Sequence, residues 1–253
     1  MPPVLPDPEI ISAAVQPEAA ISFWAWKTAL PYDVVKQLAD GARERAFYVT
    51  GLAERDAVQA IKDALQEALE NGTGLREFKE RCRDVIESQG WHDNRVETIF
   101  RNNLQSAYAA GRYAKMQEVK KFRPYWQYFI IEDGRARPAH AILNNLVFHA
   151  DHEFWIVNYP PNGHKCRCGV RTLSERQVER EGLLVQVEMP GDGMYTDPAT
   201  GMEYHVARPG ADDGWSGNPG RDWLNGLDLT KYQDLTPESY RQQRGGAAPA
   251  GEK

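Results

Sequence analysis

Between Asp133 and Cys168 the chain gathers four of its six histidines (His140, His149, His152, His164) and two of its three cysteines (Cys166, Cys168). The stretch opens DGRARPAHAIL, passes through FHADHEFW and closes on PPNGHKCRC. Thiolate and imidazole are the usual zinc ligands, and ligands set among turn residues suit either a metal-stapled knot or an active site. Cys166 and Cys168 supply two donors, and His140 with His164 (or His149) would complete a tetrahedron. Cys-x-x-Cys is the commoner spacing, because its turn aims both sulfurs inward. Two readings therefore stand: a structural zinc ion, or thiols buried in a loop held by other contacts. A disulfide between residues two apart would be strained.

Asp133, Arg135 and Arg137 alternate, so in an extended segment they share one side. A carboxylate between guanidinium groups makes a polar clamp that fixes a turn. The catalytic version makes His140 a general base or ligand, with Arg135 or Arg137 stabilising an anion. A metal-dependent hydrolase or nuclease built on His140, His164, Cys166 and Cys168 is the alternative function. Against it, the chain shows no nucleophile elbow, no His-Glu-x-x-His and no phosphate-cradling glycine loop. The expectation is a protein that is not an enzyme and takes no small-molecule substrate. His149 and His152 adjoin Phe154 and Trp155, which suits a half-buried edge.

These residues need a scaffold. The chain has 253 residues, 42% of them hydrophobic and 26% charged, with a net charge of −6. That is an ordinary globular composition, and the acidic balance argues against a generic nucleic-acid coat. Three cysteines fit a reducing cytoplasm. No signal sequence opens the chain and no apolar run approaches a membrane span. Five prolines in residues 1–17 (Pro2, Pro3, Pro6, Pro8, Pro17) predict an extended arm, and GGAAPAGEK predicts a flexible tail within 236–253.

Residues 18–124 read as a helical domain. EAAISFWAWKTALP and the Asp33 to Val49 stretch are helical segments. After Glu54, Val58, Ile61, Leu65, Ala68 and Leu69 recur at three and four residues, with Asn71-Gly72 as the stop. Thr73 would cap a second helix with Leu75, Phe78, Cys82 and Val85 on one face, making Cys82 a buried core thiol. A third helix runs from about Asn94 to Glu118. From Tyr125 the texture changes. WQYFII and LLVQVEM read as strands, and TLSERQVEREG as a short helix capped by Ser174 and stopped at Gly182. A glycine- and proline-rich closing surface follows, with Glu203 to Ala207 a strand candidate. The fold class is α+β: an N-terminal helical bundle, then a small mixed α/β region with irregular loops over 125–235.

Two surfaces invite partners. Arg95, Arg101, Arg112, Lys115, Lys120, Lys121 and Arg123 face only Glu97 and Glu118 over the same stretch, a local excess of positive charge. Such a helix suits DNA phosphates or an acidic protein face, and otherwise is a solvated face. The acidic closing region, with Glu188, Asp192, Asp197, Glu203, Asp212 and Asp213, is its intramolecular counterpart. Phe23, Trp24 and Trp26 give the first helix an aromatic surface for bundle packing or partner docking.

The ordered series IFRNNLQSAYAAGRYAKM, DGRARPAHAILNN, FW and PPNGHKCRCGVRTLSERQ resembles the phage Mu F-like family of head morphogenesis (minor capsid) proteins. FWAWK, AFYVTGL and NGTGLREFKERCRDVIESQGW upstream, and ARPGADDGWSGNPG downstream, extend the resemblance over roughly residues 18 to 225. The resemblance implies a minor component of tailed-phage or prophage heads, at the portal vertex and close to packaged double-stranded DNA. It implies the portal protein and other head proteins as partners, and the host cytoplasm and then the virion as location. No membrane and no cofactor are implied beyond the structural zinc. Some relatives carry a Cys-x-x-Cys pair ahead of the Cys-x-Cys, and here its positions hold Arg137 and His140. That leaves His140, Cys166 and Cys168 as ligands, with His164 or a water as the fourth. The resemblance thus implies that His140, Cys166 and Cys168 lie together.

Overall fold

The computed structural model describes residues 18–38, 45–133 and 135–225. The expected arm at 1–17 and tail at 236–253 lie outside these. Among the described residues, helix α1 (Glu18–Trp26), strand β1 (Thr28–Ala29), helix α2 (Tyr32–Val35) and strand β2 (Ala46–Phe47) come first. Helices α3 (Arg55–Asn71), α4 (Leu75–Arg81), α5 (Arg83–Ser88) and α6 (Asp93–Glu118) follow. The second half holds β3 (Tyr125–Phe129), α7 (Pro138–Ala141), β4 (Val147–His149), α8 (Phe154–Val157) and β5 (Gly169–Leu173). It ends with α9 (Glu175–Glu181), β6 (Val185–Gln186), the hairpin β7 (Gly193–Thr196) and β8 (Glu203–Val206), and α10 (Pro219–Asn225). This is an α+β fold. Among the described residues no helix is long and apolar enough to cross a membrane.

The 26-residue α6, about 39 Å at the usual rise, runs through both halves. Its first part packs Val96, Phe100, Ala107 and Ala110 against α1, α3 and α4. Its last turns place Tyr113 and Met116 among the aromatics of the sheet. Gly111 explains how α1 crosses so closely: a Cβ there would stand 2.8 Å from the backbone nitrogen of Ala20. Near the chain's end, α10 returns to the helical half, with Trp223 edge-on to Phe23 at 5.9 Å.

In the main sheet β3 is antiparallel to both β5 and β4, and β6 runs parallel to β4 in the order β5-β3-β4-β6. Trp126 lies at its centre, fully buried, with Tyr113, Trp155 and Tyr159 around it at 5.5 to 6.3 Å. The outer edge of β5 is closed by arginines. Arg112 donates to the Val170 carbonyl at 3.4 Å, and Arg123 donates to the Thr172 carbonyl at 2.5 Å and its hydroxyl at 2.7 Å. Unpaired edge carbonyls invite a foreign strand, and covering them with charged side chains removes the invitation.

Several elements follow from local chemistry. Gly72 closes α3 in the left-handed conformation (φ 68°). Ser174 and Gln177 form a reciprocal cap on α9, and Gly182 ends it at φ 61°. Cys82 is buried in the helical core as expected. Other expectations need correction. The second helix is capped at Gly74, whose N–H donates to Glu77, and not at Thr73. It breaks at Cys82, which lets Phe78 pack on Phe100 at 5.2 Å while Val85 and Ile86 stay half-buried. Of the Asp33 to Val49 stretch the described residues are helical up to Val35, and Ala46 and Phe47 pair with β1 as a parallel ladder, not as a helix. LLVQVEM pairs only through Val185 and Gln186, and Leu184 and Val187 are exposed.

Candidate metal centre

Phe23 and Trp24 do not form a docking surface. Both are buried, Trp24 donating its indole N–H to the Lys62 carbonyl at 3.0 Å, and only Trp26 keeps partial exposure. The basic stretch is likewise largely engaged within the chain. Arg101 pairs with Glu97, Lys115 with Glu118 and Lys120 with Asp151. Arg95 donates to the Thr50 carbonyl at 2.6 Å, Arg112 and Arg123 hold the β5 edge, and Lys121 is exposed. The expected acidic counterpart also differs, since Asp212 turns to Arg137 and His140 instead.

His140, Cys166 and Cys168 do meet. Their ligand atoms all lie within 4.8 Å of one another, and His140 Nδ1 is 3.9 Å from each sulfur. The fold brings them together from two loops. Pro138 starts the single turn of α7 and sets His140 in the interior, 1% exposed. Beyond the loop, Lys165 takes a left-handed turn (φ 54°) ahead of Cys166. Helix α6 holds that turn from outside. Asn102 accepts from the Lys165 N–H at 2.8 Å and its amide nitrogen is 2.7 Å from His164 Nδ1, while Gln105 donates to the Cys166 carbonyl. His164 is therefore drawn outward, exposed, with its ring edge-on to Trp215 at 5.0 Å. It is not a fourth ligand.

The other face of His140 meets a carboxylate, with Nε2 3.2 Å from Asp212 Oδ1. The contact is within ion-pair range but not aligned as a hydrogen bond. Asp212 is braced by Arg137 at 3.2 Å and by its own N–H donating to the Asn162 carbonyl at 2.8 Å. Gly163 is required at this crossing: a Cβ would fall 2.2 Å from Asp212 Oδ2. The clamp accordingly has a different membership. Asp133 takes Arg135 at 2.5 Å and Arg167 at 2.6 Å, and Arg137 donates instead to the His164 carbonyl and to Asp212.

Arg167 and then Arg135 hold the Asp133 carboxyl well below the usual carboxylate range. A folded-state pKa below the unfolded value adds stability that is present above the ordinary carboxylate range and lost as pH falls through the folded value. The melting midpoint of the natural protein is thus expected to exceed that of Asp133→Asn at pH 7. The gap should close as pH falls below about 4. A pH-independent gap in thermal melts would contradict this.

A hydrogen bond from Cys168, helped by His140 and by backbone N–H groups, draws Cys166 toward the thiolate, while Cys168 is held protonated. Tyr128, fully buried, approaches the same sulfurs and receives the Asn162 amide at 3.0 Å. The donor set fits zinc. A tetrahedral centre places its sulfur and nitrogen ligands about 3.6 Å apart, near the 3.9 Å found here. A carboxylate behind the imidazole is the usual outer partner of a metal-bound histidine. Beside the ligands lies a cavity of about 20 Å³, bounded by Ile130, Ile131, Arg135 and Arg137. That is room for one water. Three protein donors and a water-sized gap would complete four-coordination.

Asn102, Gln105 and Asp212 were not singled out as site residues from the sequence. The two amides do leave a trace, as polar residues three apart on a helix, facing the histidine-cysteine segment.

Residues 59–171 match the family model described as Phage Mu protein F like protein. The "Putative capsid assembly protein F" of Escherichia phage Mu is 33% identical over 245 residues, covering 83% of this chain and 55% of that protein. The "Mu-like prophage FluMu F protein" of Haemophilus influenzae is 31% identical over 236 residues, covering 81% of this chain and 57% of that protein. The chain thus spans just over half the length of these curated relatives. No solved structure matches it. Through the α3–β5 region that carries the cluster, the chain belongs to the Phage Mu protein F like family.

Proposed function

We propose that this protein is a component of phage or prophage head assembly, working as a structural connector and not as an enzyme. The observation that carries this reading is the match, over most of the chain, to a capsid assembly protein. The geometry agrees with it. Helix α6 is a rigid spine shared by two cores, and the 133–168 segment is tied to it by amides and to itself by the His140–Cys166–Cys168 cluster. The partners proposed are the portal protein and other head proteins, with the portal vertex of the virion as the place of action. The protein is expected to co-sediment with portal assemblies or proheads, and absence of association at every salt concentration would sink the reading.

The second reading, a metal-dependent hydrolase, is favoured by the water-sized gap beside the ligands. In the connector reading His140 Nδ1, Cys166 Sγ and Cys168 Sγ hold zinc as a staple, and Asp212 orients the imidazole. Zinc would there supply folding energy, since binding to a site absent from the unfolded chain stabilises the folded one. Packaged DNA is a further partner of the connector reading. The engaged basic stretch does not favour it, and salt-dependent retention on duplex DNA, reduced by Arg112, Lys115 and Lys120 neutralisation, would restore it.

A further inference from the structure

A cleft of about 950 Å³ opens between α6 and the 133–168 segment. Its floor is apolar, made by Phe100, Leu104 and Tyr108 of α6. Around it stand Arg101, Arg135, Arg137, Lys165 and Arg167. A narrower cleft of about 210 Å³ shares Gln105, Tyr108 and Arg167 with it and continues along α6 to Tyr159 and Pro161. The two together form a long trough, not a cup.

The basic rim is ordered by carboxylates, each placed between two basic groups. Glu97 lies between Arg101 and Lys165, Asp133 between Arg135 and Arg167, and Asp212 between Arg137 and His140. Arg101, Arg135, Arg137, Lys165 and Arg167 outnumber the three carboxylates by two, a local positive excess on a chain whose total is −6. The guanidinium groups are thus held in place before any ligand arrives, which reduces the ordering cost of binding.

We infer that this trough binds an extended peptide segment of a partner protein, one carrying one or two carboxylates beside bulky apolar side chains. The apolar floor would take the apolar side chains, and the surplus cations the carboxylates. Nucleic acid fits less well. A duplex is too wide to enter, and a single strand of this length would bring a phosphate per nucleotide against the three fixed carboxylates. The inference rests on the chemistry of the trough and not on the role in head assembly, so failure to bind proheads would leave it standing.

The test is selection of a displayed library of random twelve-residue peptides on the full chain. Peptides combining Asp or Glu with Leu, Phe or Met are expected to be enriched. Their affinity should fall at least tenfold when Arg101→Glu and Arg135→Glu are combined. Both side chains are more than half exposed, so the variant should keep the parent's circular dichroism and a cooperative melt, its midpoint lowered only by the loss of the surface pairs with Glu97 and Asp133. Tyr108→Ser should weaken binding without changing its salt dependence. No enrichment of acidic-apolar sequences would overturn the inference, as would equal binding to the double variant or displacement of the peptides by a single-stranded oligonucleotide.

Discussion

Trp126→Ala is expected to lower unfolding free energy by about 3–5 kcal/mol. Trp126 is fully buried on the central strand, and the rings of Tyr113 from α6, Trp155 and Tyr159 all close on it. Removing it leaves a cavity where the helical spine meets the sheet, and well-packed surroundings collapse only in part. Among the described residues its indole N–H has no acceptor. Trp126→Phe keeps an aromatic ring in place and deletes a buried donor that costs about 1–3 kcal/mol when unpaired. The phenylalanine variant should therefore lose less than half of what the alanine variant loses. Urea titrations at constant m-value would measure both, and equal losses would refute this account of the site.

The second large effect is expected at the cluster. The natural protein, purified without chelator, should carry one zinc ion per chain, and Cys166→Ser none. Structural zinc sites contribute apparent binding free energies on the order of 10 kcal/mol, so a strong chelator should lower the melting midpoint of the natural protein and leave Cys166→Ser unmoved. Asp212→Asn tests the outer partner. It should keep the metal but bind it about 10–100-fold more weakly, as read by competition with a chromogenic chelator. A natural protein without stoichiometric zinc would remove the metal from both functional readings and leave a buried polar packing site.

Much of this was legible because it is local. The apolar stripe of α3 with its glycine stop, the Ser174–Gln177 cap and the long α6 are written within a few residues of where they act. The meeting of His140 with Cys166 and Cys168 could be anticipated from the family resemblance, which puts His140 where some relatives carry a cysteine. What stayed hidden depends on distant chain. Asp212 reaches His140 across 72 residues, and no spacing rule selects it from the acidic closing region. For Phe23 and Trp24 bundle packing is the default and docking the alternative, and only the arrival of α10 and α3 over them decides for packing. Arg112 and Arg123 looked like free positive charge because a sheet edge can be seen only after the strands are ordered.

That edge has a consequence for a protein that must meet others. The main sheet has one border sealed by guanidinium groups at β5 and another at the two-residue β6, flanked by the exposed Leu184 and Val187. Among the described residues, the β6 side is the border without such a seal. Two copies joined there would each present a sealed border to a third, so growth would stop at a pair. The same arginines that set the helix against the sheet thus give it a terminus, which limits edge-to-edge growth into a fibre.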